Sequence, residues 1–448
     1  MTAFIGPMGK LPTEIYCHIF LIYVAFSFED PISWAKSALR ITHVCRLWRR
    51  IGLALPRLWV EGLSFTIVKE PTDSLVAMTK TYLERSFPLP IAVGIYALGM
   101  VRADVTPLMD VLSSASGRWR SLALNIRSLD PLVSLPPGSL TALEELRIQD
   151  FNPGPYSYVE NTVFLTAINL RKLTVVHWIS HRFAIPWSQL TVLTVDLGYE
   201  PDSYLDVMMQ CDSLVTASLH IKAWMEDDDD DDEPFVRELL HLETLRVDFI
   251  RADESGEPQI VMPLFRDLAL PALRTLKLSF DIIATSWSSE EFTQFQLRCP
   301  NLEDVELWDL DADSDVLITL IRHAPVLKSF AATFDRGSPL IDDDFMRALE
   351  YRASDPHPLA PLLESLQLRE SEWEESDSDS DSDSGGPSFQ EASLERLIRS
   401  RWWSDEELHG RPTVARLKNV VLSCGLSEDL KASLQDCAKE GLKLDLED

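Results

Sequence analysis

A short apolar frame, Leu-x-x-Leu-x-Leu, returns along most of this 448-residue chain and limits what it can fold into. It reads WRSLAL from Trp119, LEELRI from Leu143, LRKLTV from Leu170, LTVLTV from Leu190, LVTASL from Leu214 and LETLRV from Leu242. It continues as LRTLKL from Leu273, LEDVEL from Leu302, LKSFAA from Leu327, LESLQL from Leu363 and LKNVVL from Leu417. Alternate apolar residues have the period of a half-buried strand. Frames start roughly 20 to 31 residues apart up to Leu327, then about 36 and 54 apart, which is room for one strand and one return segment. Phe292 to Leu302 and Val316 to Leu327 read as helices that Pro300 and Pro325 stop. The expectation is an α/β chain: a curved solenoid with a parallel sheet on its concave face and helices and loops on its convex face.

Charge narrows the partners. Acidic residues number 71 against 41 basic, a formal net charge of −30, which opposes binding to a nucleic acid. The excess is local. Glu226 to Glu233 is an unbroken acidic run, and Glu370 to Asp383 adds eight acids without a Lys or Arg. Without these two segments the remainder carries about −14. Segments 226–233 and 371–388 bury too little apolar surface to offset their ordering entropy, so exposed, disordered loops are expected there.

The first 60 residues differ from the rest. Pro12 and Glu14 mark a helix start, and Ile15, Ile19, Ile22 and Phe26 follow at helical spacing. After Pro31 a second stripe runs through Ile41, Val44, Cys45, Trp48, Ile51 and Leu55, with Arg40, Arg46, Arg49 and Arg50 largely on its other side. Ile15 to Phe28 is too short to span a membrane and is bracketed by Glu14 and Glu29, so a soluble helix is expected. The six cysteines are scattered, without C-x-x-C or zinc spacing, and read as reduced core residues of an intracellular protein.

LPTEIYCHIF followed by ITHVCRLWRRIGLALPRLW resembles an F-box, whose pattern is Leu-Pro-x-Glu-Ile, then Val-Cys-x-x-Trp, then Leu-Trp. The spacer LIYVAFSFEDPISWAKSA is longer and more hydrophobic than in the tightest F-boxes. With YLERSFPLPIAV and the leucine frames, the chain is similar to the large fungal group in which an F-box precedes a degenerate leucine-rich-repeat domain. The frames lack a consistent Asn or Cys at the turn. The resemblance implies an F-box over 1–62, a helical or linker region over 63–118 and a leucine-rich-repeat solenoid over 119–448. It also implies a substrate-recognition subunit of an SCF-type ubiquitin ligase, docked on a Skp-type adaptor and through it on a cullin-RING ligase, with an unknown protein as substrate. The adaptor-binding residues would be Leu11, Pro12, Ile15, Ile19, Phe20, Val44, Cys45, Trp48, Ile51, Leu58 and Trp59. The alternative is a leucine-rich-repeat scaffold whose N-terminal helices only cap the array.

Catalytic signatures are lacking: the sequence holds no G-x-S-x-G, H-E-x-x-H or G-x-x-x-x-G-K-[ST], and no catalytic residue is assigned. His43, His181 and His323 read as turn or helix-end residues. The acidic run lacks the Gly and Glu of a calcium loop, so no metal and no cofactor is expected. Ser371, Ser376, Ser378 and Ser380 each precede an acid by three positions, which suits acidophilic kinases. Arg147, Thr174, Thr194, Arg246, Lys277, Glu306 and Gln367 occupy the frame's outward fifth position on the expected concave face, and no substrate residue is assigned among them. No nucleic acid and no membrane is expected as partner, and cytoplasm or nucleus is the expected location.

Overall fold

The computed structural model describes residues 11–25, 31–60, 63–67, 70–97, 104–125, 132, 135–136, 138–149, 162–176, 184–196, 202–224, 236–251, 259–281, 285–335, 337–371, 388–403 and 414–447. Segment 226–233, residues 372–387 of the second acidic segment, Phe26, His181, Ser376, Ser378 and Ser380 lie outside the described residues. The chain is α/β, and its contacts divide it into two units, Met1–Leu197 and Gly198–Asp448.

The first unit opens with three helices, α1 (Thr13–Ala25), α2 (Pro31–Val44) and α3 (Arg46–Leu53), and a 3-10 turn over Pro56–Trp59. Six parallel strands follow in sequential order: β1 (Leu63–Ile67), β2 (Ile91–Ala97), β3 (Trp119–Asn125), β4 (Glu145–Gln149), β5 (Lys172–Val176) and β6 (Val192–Asp196). Helices α4 (Asp73–Ser86) and α5 (Thr106–Ser113) connect β1 to β2 and β2 to β3. The region 63–118, expected as helices and linker, therefore holds two strands of the ladder. LSFTI and IAVGIYA alternate in the strand period but lack the leucine frame.

In the second unit the main sheet runs β7 (Thr216–Lys222), β9 (Thr244–Ile250), β12 (Thr275–Asp281), β14 (Asp304–Trp308), β15 (Ser329–Phe334), β16 (Ser365–Glu370), β17 (Asn419–Ser423) and β18 (Lys443–Glu447). Each neighbouring pair in this order is parallel. Two short parallel pairs stand apart, β8 (Arg237–Glu238) with β11 (Leu268–Ala269) and β10 (Gln259–Ile260) with β13 (Thr285–Ser286). The expected helices are present as Ser289–Leu297 and Ser314–Arg322. β18 extends the ladder beyond the last frame that the sequence pattern identified, on the alternation of Leu442, Leu444 and Leu446.

The frame works by burial. Leu273, Leu276 and Leu278 are buried, as are Leu302, Val305 and Leu307, and Leu363, Leu366 and Leu368, so each repeat sends three side chains to one core. The register is locked where each strand begins. The Glu243 carbonyl accepts from the N–H groups of Arg274 and Thr275 at 2.9 and 3.0 Å, and the Arg274 carbonyl accepts from Glu303 and Asp304, both at 2.8 Å. Helix starts are capped in the same economical way: Ser288 Oγ accepts from Glu291 N–H at 3.3 Å and Asp342 Oδ1 from Phe345 N–H at 2.9 Å. Phe249 and Phe280, cross-strand partners on β9 and β12, stack at 5.4 Å, and Phe265, Phe292 and Phe295 close the cluster. Among the described residues no helix is long and apolar enough to cross a membrane.

Candidate functional site

The N-terminal helices are organised by three aromatic residues. The carbonyl of Pro12 accepts from the N–H groups of Ile15 and Tyr16, at 3.2 and 3.4 Å, and so starts α1. Tyr16, Phe20 and Val24, four residues apart, form its buried stripe. Trp48 from α3 meets Phe20 at 4.9 Å and Tyr16 edge-on at 6.3 Å. The single helix expected through Ile41 and Leu55 is broken at Cys45, whose backbone is extended (φ −158°, ψ 173°). Its Sγ accepts from Trp48 N–H at 3.4 Å, which caps α3 and turns Trp48 inward. Arg49 Nε donates to the Thr42 carbonyl at 2.9 Å and ties α3 back to α2.

Trp59 anchors the module from the other end. Its Nε1–H donates to the Gly52 carbonyl at 2.9 Å, its ring meets Tyr82 of α4 edge-on at 5.0 Å, and the Arg85 guanidinium sits 4.5 Å from the ring centre. Burial pushes the Tyr82 hydroxyl up to about 12, against the opposing pull of Arg85.

The eleven residues proposed from sequence to bind a partner therefore separate into three groups. Phe20, Ile51, Leu58 and Trp59 are buried and hold the module together, so they offer no free surface as the chain stands. Leu11 (36% exposed), Ile15 (45%) and Val44 (59%), with the exposed Pro12 and Cys45, face outward; Ile19 and Trp48 are half-buried. The stripe Ile15, Ile19 and Ile22 is real but is not the core stripe: it lies on the face of α1 beside Tyr16, Phe20 and Val24. Ile22 (43%), Tyr23 and Leu53 are also exposed and were missed as site residues, although Ile22 stands seven positions after Ile15, on the same helical face.

A second, polar surface lies in the second unit, where the frame's outward positions are in register. Arg246, Lys277 and Glu306 are cross-strand neighbours, and Ala331 and Gln367 continue the row. Lys277 Nζ pairs with Glu306 Oε1 at 2.8 Å. Arg246 grips Asp248 at 3.0 Å, His220 Nε2 reaches the same carboxylate at 3.2 Å, and the Arg246 guanidinium lies 5.5 Å from the Trp308 ring centre. Hydrogen bonding to Asp248 raises the Arg246 pKa. On β14, burial raises Asp304, against the hydrogen bond from Thr275. His220, Asp248 and Trp308 were not singled out from sequence; each lies two positions beyond an outward frame residue, on the same strand face. In the first unit Arg147, Thr174 and Thr194 form a comparable cross-strand row.

Ser371 is half-buried and its N–H donates to the Phe334 carbonyl at 2.9 Å. His43 lies in the last turn of α2 and His323 at the end of the Ser314–Arg322 helix. Burial pushes the Cys211, Cys299 and Cys424 thiols up to about 12, whereas Cys45 is exposed, unlike the core cysteine expected there. Among the described residues no group of three His, Cys, Asp or Glu side chains is placed to hold a metal ion. No protein-family model matches the chain, and no curated protein matches it.

Proposed function

We propose that the chain is the substrate-recognition subunit of an SCF-type ubiquitin ligase. The N-terminal module docks as an F-box on a Skp-type adaptor, and the strand array, read as a leucine-rich-repeat solenoid, holds the protein to be ubiquitinated. Such a subunit supplies proximity and orientation, and the bond-making belongs to its partners. The observation that carries the reading is the row of exposed Leu11, Ile15 and Ile22 with half-buried Ile19, left outward while Tyr16, Phe20 and Val24 take the buried face of α1. A contiguous apolar stripe on a helix is a feature that an interface explains and solvent does not. The in-register polar row around Arg246 and Lys277 supports the array as the substrate-binding part.

The test is a pull-down of the full chain with purified Skp-type adaptor, comparing wild type with Leu11→Ala/Ile15→Ala/Val44→Ala. Wild type is expected to bind, and the variant to bind at least about tenfold more weakly with unchanged circular dichroism. No binding by the wild type leaves the helices as a cap and puts the scaffold reading in first place.

A further inference from the structure

β18 (Lys443–Glu447) stands last in the order of the main sheet, and among the described residues it is hydrogen-bonded along one side only, to β17. The core is not closed there. On β16 and β17 the residues Leu366, Leu368, Val420 and Leu422 are fully buried, whereas their counterparts on β18, Leu444 and Leu446, are half-buried. β1, at the other end of the order, keeps Leu63, Phe65 and Ile67 buried. An open strand edge beside an unfinished core is a template for a further strand.

The backbone fixes which groups face that edge. Lys443 N–H donates to the Lys418 carbonyl at 3.0 Å, so Lys443 and, two residues on, Asp445 turn their peptide groups towards β17. The N–H and C=O groups of Leu444 and Leu446 therefore point to the open side. Lys443 and Asp445 are exposed, on the sheet face opposite to the leucines. With the outward groups known, β18 is self-complementary in one antiparallel register. About a two-fold axis at Leu444, the two Leu444 residues exchange N–H···O=C bonds, Leu446 of each copy meets Leu442 of the other, and Lys443 stands opposite Asp445 twice. The Lys–Asp positions are the non-hydrogen-bonded pairs, about 4.5 Å apart at Cα, where side chains come closest. Centring on Lys443 or on Asp445 instead sets like charges against each other, and centring on Leu446 sets Asp445 against the acid at 447.

We propose that two copies of this chain pair through β18, antiparallel about a two-fold axis at Leu444, joining their sheets and covering Leu444 and Leu446. An unrelated strand would find the same backbone groups but would have to match two charges of opposite sign, and edge charges of this kind deter promiscuous pairing. The chain's own strand matches them. Such pairing does not depend on the ligase reading.

The light-scattering mass of the full chain is measured from about 1 to 100 µM in about 150 mM NaCl, where screening limits the mutual repulsion of two acidic copies. Wild type is expected to pass from the monomer mass towards twice that value. Lys443→Asp and Asp445→Lys, with folds checked by circular dichroism, each set like charges opposite in both pairs and are expected to associate at least about tenfold more weakly. Mixing these two single variants restores both unlike pairs, so the mixture is expected to recover wild-type association. Leu444→Pro deletes an N–H that faces the edge and that β17 does not use, and is expected to stay monomeric. A wild type that is monomeric at 100 µM overturns the proposal, as do single variants or a Leu444→Pro protein that dimerise like wild type, because the contact then lies elsewhere. Weak single variants that stay weak when mixed overturn the two-fold register on which it rests.

Discussion

Arg401→Ala is expected to destabilise the protein by about 3–5 kcal/mol. The Arg401 side chain closes the Glu391–Arg401 helix and is 1% exposed, yet among the described residues no carboxylate pairs with it. Its guanidinium serves three backbone carbonyls instead: Nε donates to Leu349 at 2.6 Å, Nη1 to Ala360 at 3.0 Å and Nη2 to Leu359. Burial lowers its pKa to about 10, well above physiological pH, so the group stays charged and the fork geometry stays available. Ala360, held at φ 45°, belongs to the loop that these bonds fix. Removing the fork takes the donor from the Leu349 and Leu359 carbonyls, leaves the Ala360 carbonyl with only Leu363 N–H at 3.2 Å, and opens a cavity. Arg401→Met separates these effects: it fills most of the space and restores no donor, so it should still lose more than about 2 kcal/mol. Urea unfolding of both variants measures this, and a loss under about 1 kcal/mol for each would contradict the account.

The second large effect concerns Trp59. Trp59→Ala removes a fully buried ring, its hydrogen bond to Gly52 and its contacts with Tyr82 and Arg85, at a cost of about 3–5 kcal/mol. The variant is also expected to lose adaptor binding, but by loosening the module rather than by deleting a contact. Limited proteolysis distinguishes the two: cleavage should accelerate between residues 11 and 60 in Trp59→Ala and stay at the wild-type rate in Leu11→Ala/Ile15→Ala/Val44→Ala. Wild-type resistance in Trp59→Ala would falsify the structural role given to this ring.

Much of the second unit was legible in the sequence because its frame is redundant. Leu-x-x-Leu-x-Leu states the strand, its buried face and its spacing at once, and every frame residue named above from Leu273 to Leu368 is buried. β1, β2 and β18 were missed because their alternation occurs without the leading Leu-x-x. In the N-terminal module, helix existence was readable and helix facing was not. Ile15, Ile19 and Ile22 and the set Tyr16, Phe20 and Val24 are both apolar at helical spacing, so periodicity alone could not choose the buried face. Trp48 settled it by packing on Phe20, a contact between residues 28 positions apart. The break at Cys45 was hidden because no Gly or Pro marks it; the extended cysteine supplies its own cap. On the sheet, single outward positions were visible, but the Arg246, Asp248 and His220 cluster depends on the register between β7 and β9.

Hydrogen exchange of the full chain, alone and with purified Skp-type adaptor, tests the docking claim most directly. The account expects added protection in Thr13–Ala25 and Arg46–Leu53 and unchanged exchange in the β12 strand Thr275–Asp281. Protection confined to the sheet, or none at saturating adaptor, would contradict it.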